Sequence, residues 1–148
     1  MKGLLIETKL FEGKVQEDEG GRTIVKGVLQ RAGAENQNGR VYPKPILMRE
    51  AKKYEQFIKE RRALGELDHP DSTVINLKNV SHNVREIHWD GDDLCGTVEI
   101  LSTPSGNILK ELLKAGILLG ISSRGMGSTR NIGEGKVKVQ DDFESRRS

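Results

Sequence analysis

A single cysteine, Cys95, stands among 148 residues, so no intramolecular disulfide can form and no cysteine-based zinc site can be assembled. Aromatic residues make up only 4% of the chain, which leaves few stacking platforms for a single-stranded nucleic-acid binder. Two of them, Tyr54 and Phe57, fall on or beside the apolar stripe of a predicted helix instead of on a basic groove. Charge of one sign is also lacking. The 24 Lys and Arg nearly balance the 22 Asp and Glu, for a net charge of +2. Apart from Lys59, Arg61 and Arg62 the cations are spread along the chain, which argues against a specific nucleic-acid partner. No apolar run approaches the roughly 20 residues needed to span a bilayer. The opening Met1-Lys2-Gly3-Leu4-Leu5-Ile6-Glu7 meets an acid too early for a signal peptide. A cytosolic, soluble chain with one domain is expected. With 34% apolar and 31% charged residues, its core should be modest and its loops polar.

What is present is ordered by hydrophobic period. Residues 3–11 and 23–29 read as strands, and the charged, Gly-rich stretch 14–22 between them as a turn or loop. Asn36-Gln37-Asn38-Gly39-Arg40 carries turn chemistry. After Pro43 and Pro45, Leu47, Ala51, Tyr54 and Ile58 form one helical stripe, with Arg49, Lys52, Lys53, Gln56 and Lys59 on the solvated face. Residues 79–89 and 94–101 flank Asp90-Gly91-Asp92-Asp93 and predict a hairpin. A second helix is predicted over 104–115, capped by Thr103, opened by Pro104 and ended by Gly116. Its buried stripe is Ile108, Leu109, Leu112 and Leu113. A strand over 118–125 follows, then a turn at 131–135. Val137, Val139 and Phe143 mark one more strand. The sum is an α+β fold: a largely antiparallel sheet or barrel with two helices outside it.

Two short segments offer chemistry. Gly65-Glu66-Leu67-Asp68-His69-Pro70 holds a histidine pinned by proline. Gly120-Ile121-Ser122-Ser123-Arg124-Gly125 holds two hydroxyls in a strand with flanking glycines. A serine becomes nucleophilic when a neighbouring base takes its proton, and histidine titrates in the range to do so. Glycines beside it leave backbone N–H groups open to a substrate carbonyl. Adjacent strand residues face opposite ways, so Ser122 and Ser123 cannot both enter one site. His82 and His88, six residues apart, read as one face of the hairpin strand. They lack a third ligand nearby, so no metal site is expected. Composition and spacing by themselves leave a soluble α+β domain with hydrolase chemistry among its options.

Three motifs narrow this. The two segments above, the second extended through Met126-Gly127-Ser128, resemble the histidine and serine motifs of the prohead (procapsid maturation) proteases of tailed phages. Asn36-Gln37-Asn38-Gly39-Arg40-Val41-Tyr42-Pro43 resembles a third segment of that family. All three occur in the family's order and at about its spacing, and the similarity runs from about residue 4 to the end of the chain. The resemblance implies a serine endopeptidase with an antiparallel β-barrel wrapped by helices, a fold shared with herpesvirus assembly proteases. It implies action inside the immature prohead, in the host-cell cytoplasm, on scaffold and core proteins, the major capsid protein and the protease itself. No cofactor is implied. Ser122 takes the place of the nucleophile and His69 that of the general base. Arg124 and Gly125 fall on the oxyanion side, and Ser123 contributes through its backbone N–H or its packing. The third catalytic member of the family lies on a late strand followed by a Pro-Ser tail. The single domain over 1–148 is therefore expected to lack its C-terminal strand and tail. Asp141, with Asp142 beside it, is the candidate acid, because Asp68 should point away from its neighbour His69. Family members cut after glutamate with a hydrophobic residue two positions earlier. Leu5-Ile6-Glu7 fits, which makes Glu7–Thr8 an expected self-processing site. The rival readings are a non-catalytic capsid-assembly component of the same fold and a small nucleic-acid-binding barrel. The oligomeric state is left open.

Overall fold

In the computed structural model, residues 2–11, 13–67, 77–117 and 119–146 are described. Their elements in chain order are β1 (Gly3–Leu10), β2 (Lys14–Glu17), β3 (Thr23–Arg31), β4 (Arg40–Val41) and α1 (Lys44–Lys59). Then come β5 (Leu64–Glu66), a 3-10 turn (Leu77–Asn79), β6 (Val80–Asp90), β7 (Asp93–Ile100) and α2 (Pro104–Lys114). The chain continues through β8 (Gly120–Gly127), β9 (Thr129–Gly133), β10 (Lys136–Val139) and β11 (Glu144–Arg146).

Both helices form for the reasons the sequence supplies. In α1 the buried side chains Ile46, Leu47, Glu50 and Ala51 repeat at helical spacing. The helix ends where Arg61 turns left-handed at φ 58°, with the amides of Arg61 and Arg62 donating to Ile58 and Phe57 carbonyls. In α2 the Thr103 hydroxyl accepts the Gly106 amide at 2.9 Å, which satisfies one otherwise orphaned donor of the first turn. Gly106 also sets how closely α2 can approach: a Cβ there would lie 1.8 Å from the Leu101 carbonyl oxygen.

The strands make three sheets. β2-β3-β7-β6-β5 is antiparallel throughout, as is β1-β8-β11. In β4-β10-β9 the β4–β10 pair is parallel. Among the described residues no sheet closes on itself; the sheets are mostly antiparallel and stand with two helices, as the α+β reading expected. One core joins Leu5 of β1 to Tyr42, Ile46, Leu47, Val139 and Phe143. The other packs Val25, Val84, Val98 and Ile100 of the five-stranded sheet against residues of both helices, among them Tyr54, Ile58, Leu109 and Leu113.

Four local expectations change. Where a turn was expected over 131–135, strand β9 runs through Gly133 and the turn is confined to the residues after it. Lys14–Glu17 is a strand and not loop; its four residues are all exposed on a sheet edge, so no buried face imposes an alternation that could be read. Val137 and Val139 belong to β10, but Phe143 follows a turn. Asp141 and Asp142 sit in that turn and not on a strand. A bulge at Arg85 shifts the β6 register, placing His82 opposite Ile100 and His88 opposite Cys95. Those partners are five apart on a regular strand, so the two histidines face opposite ways.

Candidate active site

β8 carries the serine motif as the central strand of its sheet. β1 pairs along its whole length, from Gly3↔Gly127 to Leu10↔Gly120, and β11 pairs with residues 124–126. Ser122 lies opposite Thr8 and Ser123 opposite Glu7. Directly opposed residues share a face, so the two serines point to opposite sides. The Ser122 hydroxyl donates to the backbone oxygen of Glu7 at 3.2 Å. Arg124 and Gly125 stand where β8 is paired on both sides.

Two cavities meet at the nucleophile candidate. The larger, about 510 Å3, is lined by Ser122 and Ser123 together with Leu29, Tyr54, Leu64 and Gly65. The smaller, about 360 Å3, is mostly apolar, with Phe11, Leu109, Leu112, Leu113 and Leu119 in its walls. Both lie within the size range of ligand pockets. Among the described residues, only Ile121, Ser122 and His82 line both.

His82 is a residue that sequence reasoning treated as ordinary. Its Nδ1 lies 2.8 Å from the hydroxyl of the fully buried Ser81. Its Nε2 occupies the space above Gly65, where a Cβ would come within 2.0 Å. The glycine that opens the histidine motif thus makes room for a second imidazole. His88, by contrast, is exposed and paired with Glu86 at 2.9 Å.

Glu7 is the other surprise. Its carboxylate is buried, and its Oε1 accepts from Asn36 Nδ2 at 2.7 Å and Asn38 Nδ2 at 3.0 Å. Its Oε2 accepts from an Arg40 guanidinium nitrogen at 2.9 Å and from the Tyr42 hydroxyl. Every second residue of the third motif therefore ends on this one side chain. Burial first, and then the bond to the Glu7 carboxylate, push the Tyr42 phenol well above its ordinary value, so it stays protonated and donating.

His69 and Asp68 lie outside the described residues. The Asp141 side chain is exposed and lines neither cavity; its backbone oxygen accepts from Arg49 at 2.8 Å. Arg49, expected on a solvated face, also donates to the Phe143 carbonyl at 2.5 Å and so fastens the turn to α1. Asp142 accepts the Ser128 amide at 2.9 Å. That bond comes first in holding its carboxyl below the usual range. No cluster of three or more His, Cys, Asp or Glu suited to a metal occurs among the described residues. No helix among them is long and apolar enough to cross a membrane.

A mostly antiparallel α+β fold with a serine at the junction of two clefts defines the class. Residues 2–146 match the model of the prohead core protein serine protease family, and the chain belongs to that family. It is 31% identical over 122 residues to the prohead core protein protease of Enterobacteria phage T4, covering 80% of this chain and 58% of that protein. The chain thus spans little more than half of that relative's length. Its fold matches the structure of the bacteriophage T4 capsid assembly protease, gp21, with a TM-score of 0.88 and 29% identity. That match covers 98% of this chain and 94% of the other.

Proposed function

We propose that this chain is a serine endopeptidase of phage capsid maturation, with Ser122 as nucleophile and His69 as general base. Ser122 Oγ attacks the scissile carbonyl carbon while His69 takes its proton, and the same imidazole then protonates the leaving amine. Water, deprotonated by His69, hydrolyses the acyl-enzyme and regenerates the hydroxyl. Ser123, Arg124 and Gly125 form the proposed oxyanion side, with a backbone N–H at the Ser123 end as donor, because β8 is paired on both sides at Arg124 and Gly125. The steps require no cofactor. The observation that carries this reading is the position of Ser122, on a central strand where two cavities of substrate size meet. Substrates are proposed to be scaffold or core proteins, the major capsid protein and the protease itself, within the assembling prohead. The kinship with herpesvirus assembly proteases belongs to the same proposal, and the oxyanion-side role of Arg124 rests on it.

The test is labelling by a peptidyl phosphonate. Wild type should be modified at Ser122 and Ser122→Ala should stay unlabelled; a wild type that folds but resists labelling would favour the non-catalytic capsid component. Asp141→Asn separates the candidate acid from a bystander. Loss of activity by about 10^4, as when a triad acid is neutralised, would assign Asp141 as the partner of His69. A change under tenfold would match its exposed place on the turn.

Self-processing at Glu7–Thr8 is part of the proposal, and the fold constrains it. The bond lies within an eight-residue ladder and beside a clamped carboxylate, so cleavage needs β1 to come loose. Intact-mass analysis should find the cut after incubation in mild denaturant and not under native conditions. An uncut N-terminus in both, while a peptide substrate is hydrolysed, would remove this site.

A further inference from the structure

The Asn36-x-Asn38-x-Arg40-x-Tyr42 repeat has no part in the proton transfers above, yet four of its side chains converge on Glu7. The segment is braced before it meets the carboxylate. Asn36 Oδ1 accepts the amides of Asn38 and Arg40 at 2.9 and 3.1 Å, and Gly39 takes φ +75°, where a β-carbon would be strained. Both carboxylate oxygens receive two donors each, which fills the acceptor positions of a group removed from water. Asn38 and Arg40 also donate to the backbone oxygen of Ile6 at 3.0 and 3.3 Å. β1 is therefore held at two consecutive residues, from the face of the sheet that Ser122 does not use. On the other side of that sheet position, the Glu7 backbone oxygen receives the Ser122 hydroxyl.

We propose that the Asn36–Tyr42 segment and Glu7 form a positioning device for the nucleophile. The clamp fixes the Glu7 backbone, and the Glu7 carbonyl fixes Ser122 Oγ by accepting its single hydroxyl proton in the resting site; that proton turns from Glu7 to His69 when the base takes it and Oγ attacks. These are positioning residues, since none contacts the reacting atoms. The inference rests on Ser122 being the nucleophile. A second buried carboxylate serves the opposite flank: Glu50 of α1 accepts the Ser145 amide of β11 at 2.7 Å, so β8 lies between two anchored neighbours.

The experiment compares the full chain with Tyr42→Phe, Arg40→Met, Arg40→Lys and Asn38→Ala. It reads the rate of Ser122 phosphonylation, kcat and KM on a Leu-x-Glu peptide, and the melting temperature. Displacement at the reacting centre by a remote change costs about ten- to a hundredfold. Tyr42→Phe and Arg40→Met should therefore lose about that much in labelling rate and kcat, with KM within about twofold. Arg40→Lys should recover part of the loss by restoring a cation beside Glu7. Asn38→Ala, at an exposed position, should lose less and stay folded even if the buried changes do not. Folded variants that label at the wild-type rate would overturn the device while leaving Ser122 as nucleophile. Variants altered in melting temperature alone would reduce the clamp to a structural tie, again overturning the proposal. A wild type that does not label at all would bring down both readings together.

Discussion

At the scale of single residues, buried carboxylates organise the site's surroundings. Glu50 is almost fully buried, which by itself would raise its pKa. The Ser145 amide, Arg49 and Lys53 outweigh that cost and hold the carboxyl below its ordinary value of 4.5. A folded-state pKa below the unfolded one means stabilisation that is full above the unfolded value. It is lost as pH falls through the folded one. Melting temperature should therefore decline on acidification below about pH 4.5, and Glu50→Gln should flatten part of that decline. An identical acid limb in wild type and variant would show that the contacts at Ser145 and Arg49 do not carry this stability. Cys95 illustrates the opposite case. Burial, with nearby Asp90, Asp93 and Glu86, pushes its thiol up and leaves it a poor nucleophile at neutral pH.

At the scale of elements, α2 forms one wall of the apolar cavity beside Ser122, so its seating matters to the site. Thr103→Ala removes the cap of α2 and should cost about 1 kcal/mol. Gly106→Ala drives a methyl into the Leu101 carbonyl and should cost about 1–3 kcal/mol or more. Urea unfolding midpoints check both; a neutral Gly106→Ala would mean that α2 can shift without loss. Both helices were legible in the sequence because their apolar repeats and their Thr103, Pro104 and Gly116 signals are local, although Ile108, expected in the buried stripe of α2, is exposed. The β6–β7 hairpin was legible for the same reason, through its acidic Gly-containing link. Edge strands were not: β2 is exposed at all four positions and β9 at all five, so period carries no signal. The orientation of His82 depends on a bulge at Arg85, which no composition rule marks. Six residues of spacing gave the wrong face for that reason. The motif at 36–42 was visible as a resemblance, but its partner Glu7 is 29 or more residues away and only the fold brings the two together.

At the scale of the molecule, three sheets and two helices leave one strand, between two anchored neighbours, carrying Ser122 into the lining of two cavities. The family match over residues 2–146 and the shared fold with the T4 capsid assembly protease agree with the mostly antiparallel, two-helix architecture. The smaller cavity is walled by leucines of α2, and a hydrophobic residue of a bound peptide would find its surroundings there; the larger one is more mixed in its lining. The proposal that joins these observations is hydrolysis at Ser122, and the most direct measurement is cleavage of a Leu-x-Glu peptide by wild type and by Ser122→Ala. The account predicts hydrolysis after glutamate by the wild type, falling by on the order of 10^4–10^6 in the variant. Hydrolysis that survives in Ser122→Ala would contradict it and move the nucleophile elsewhere on β8.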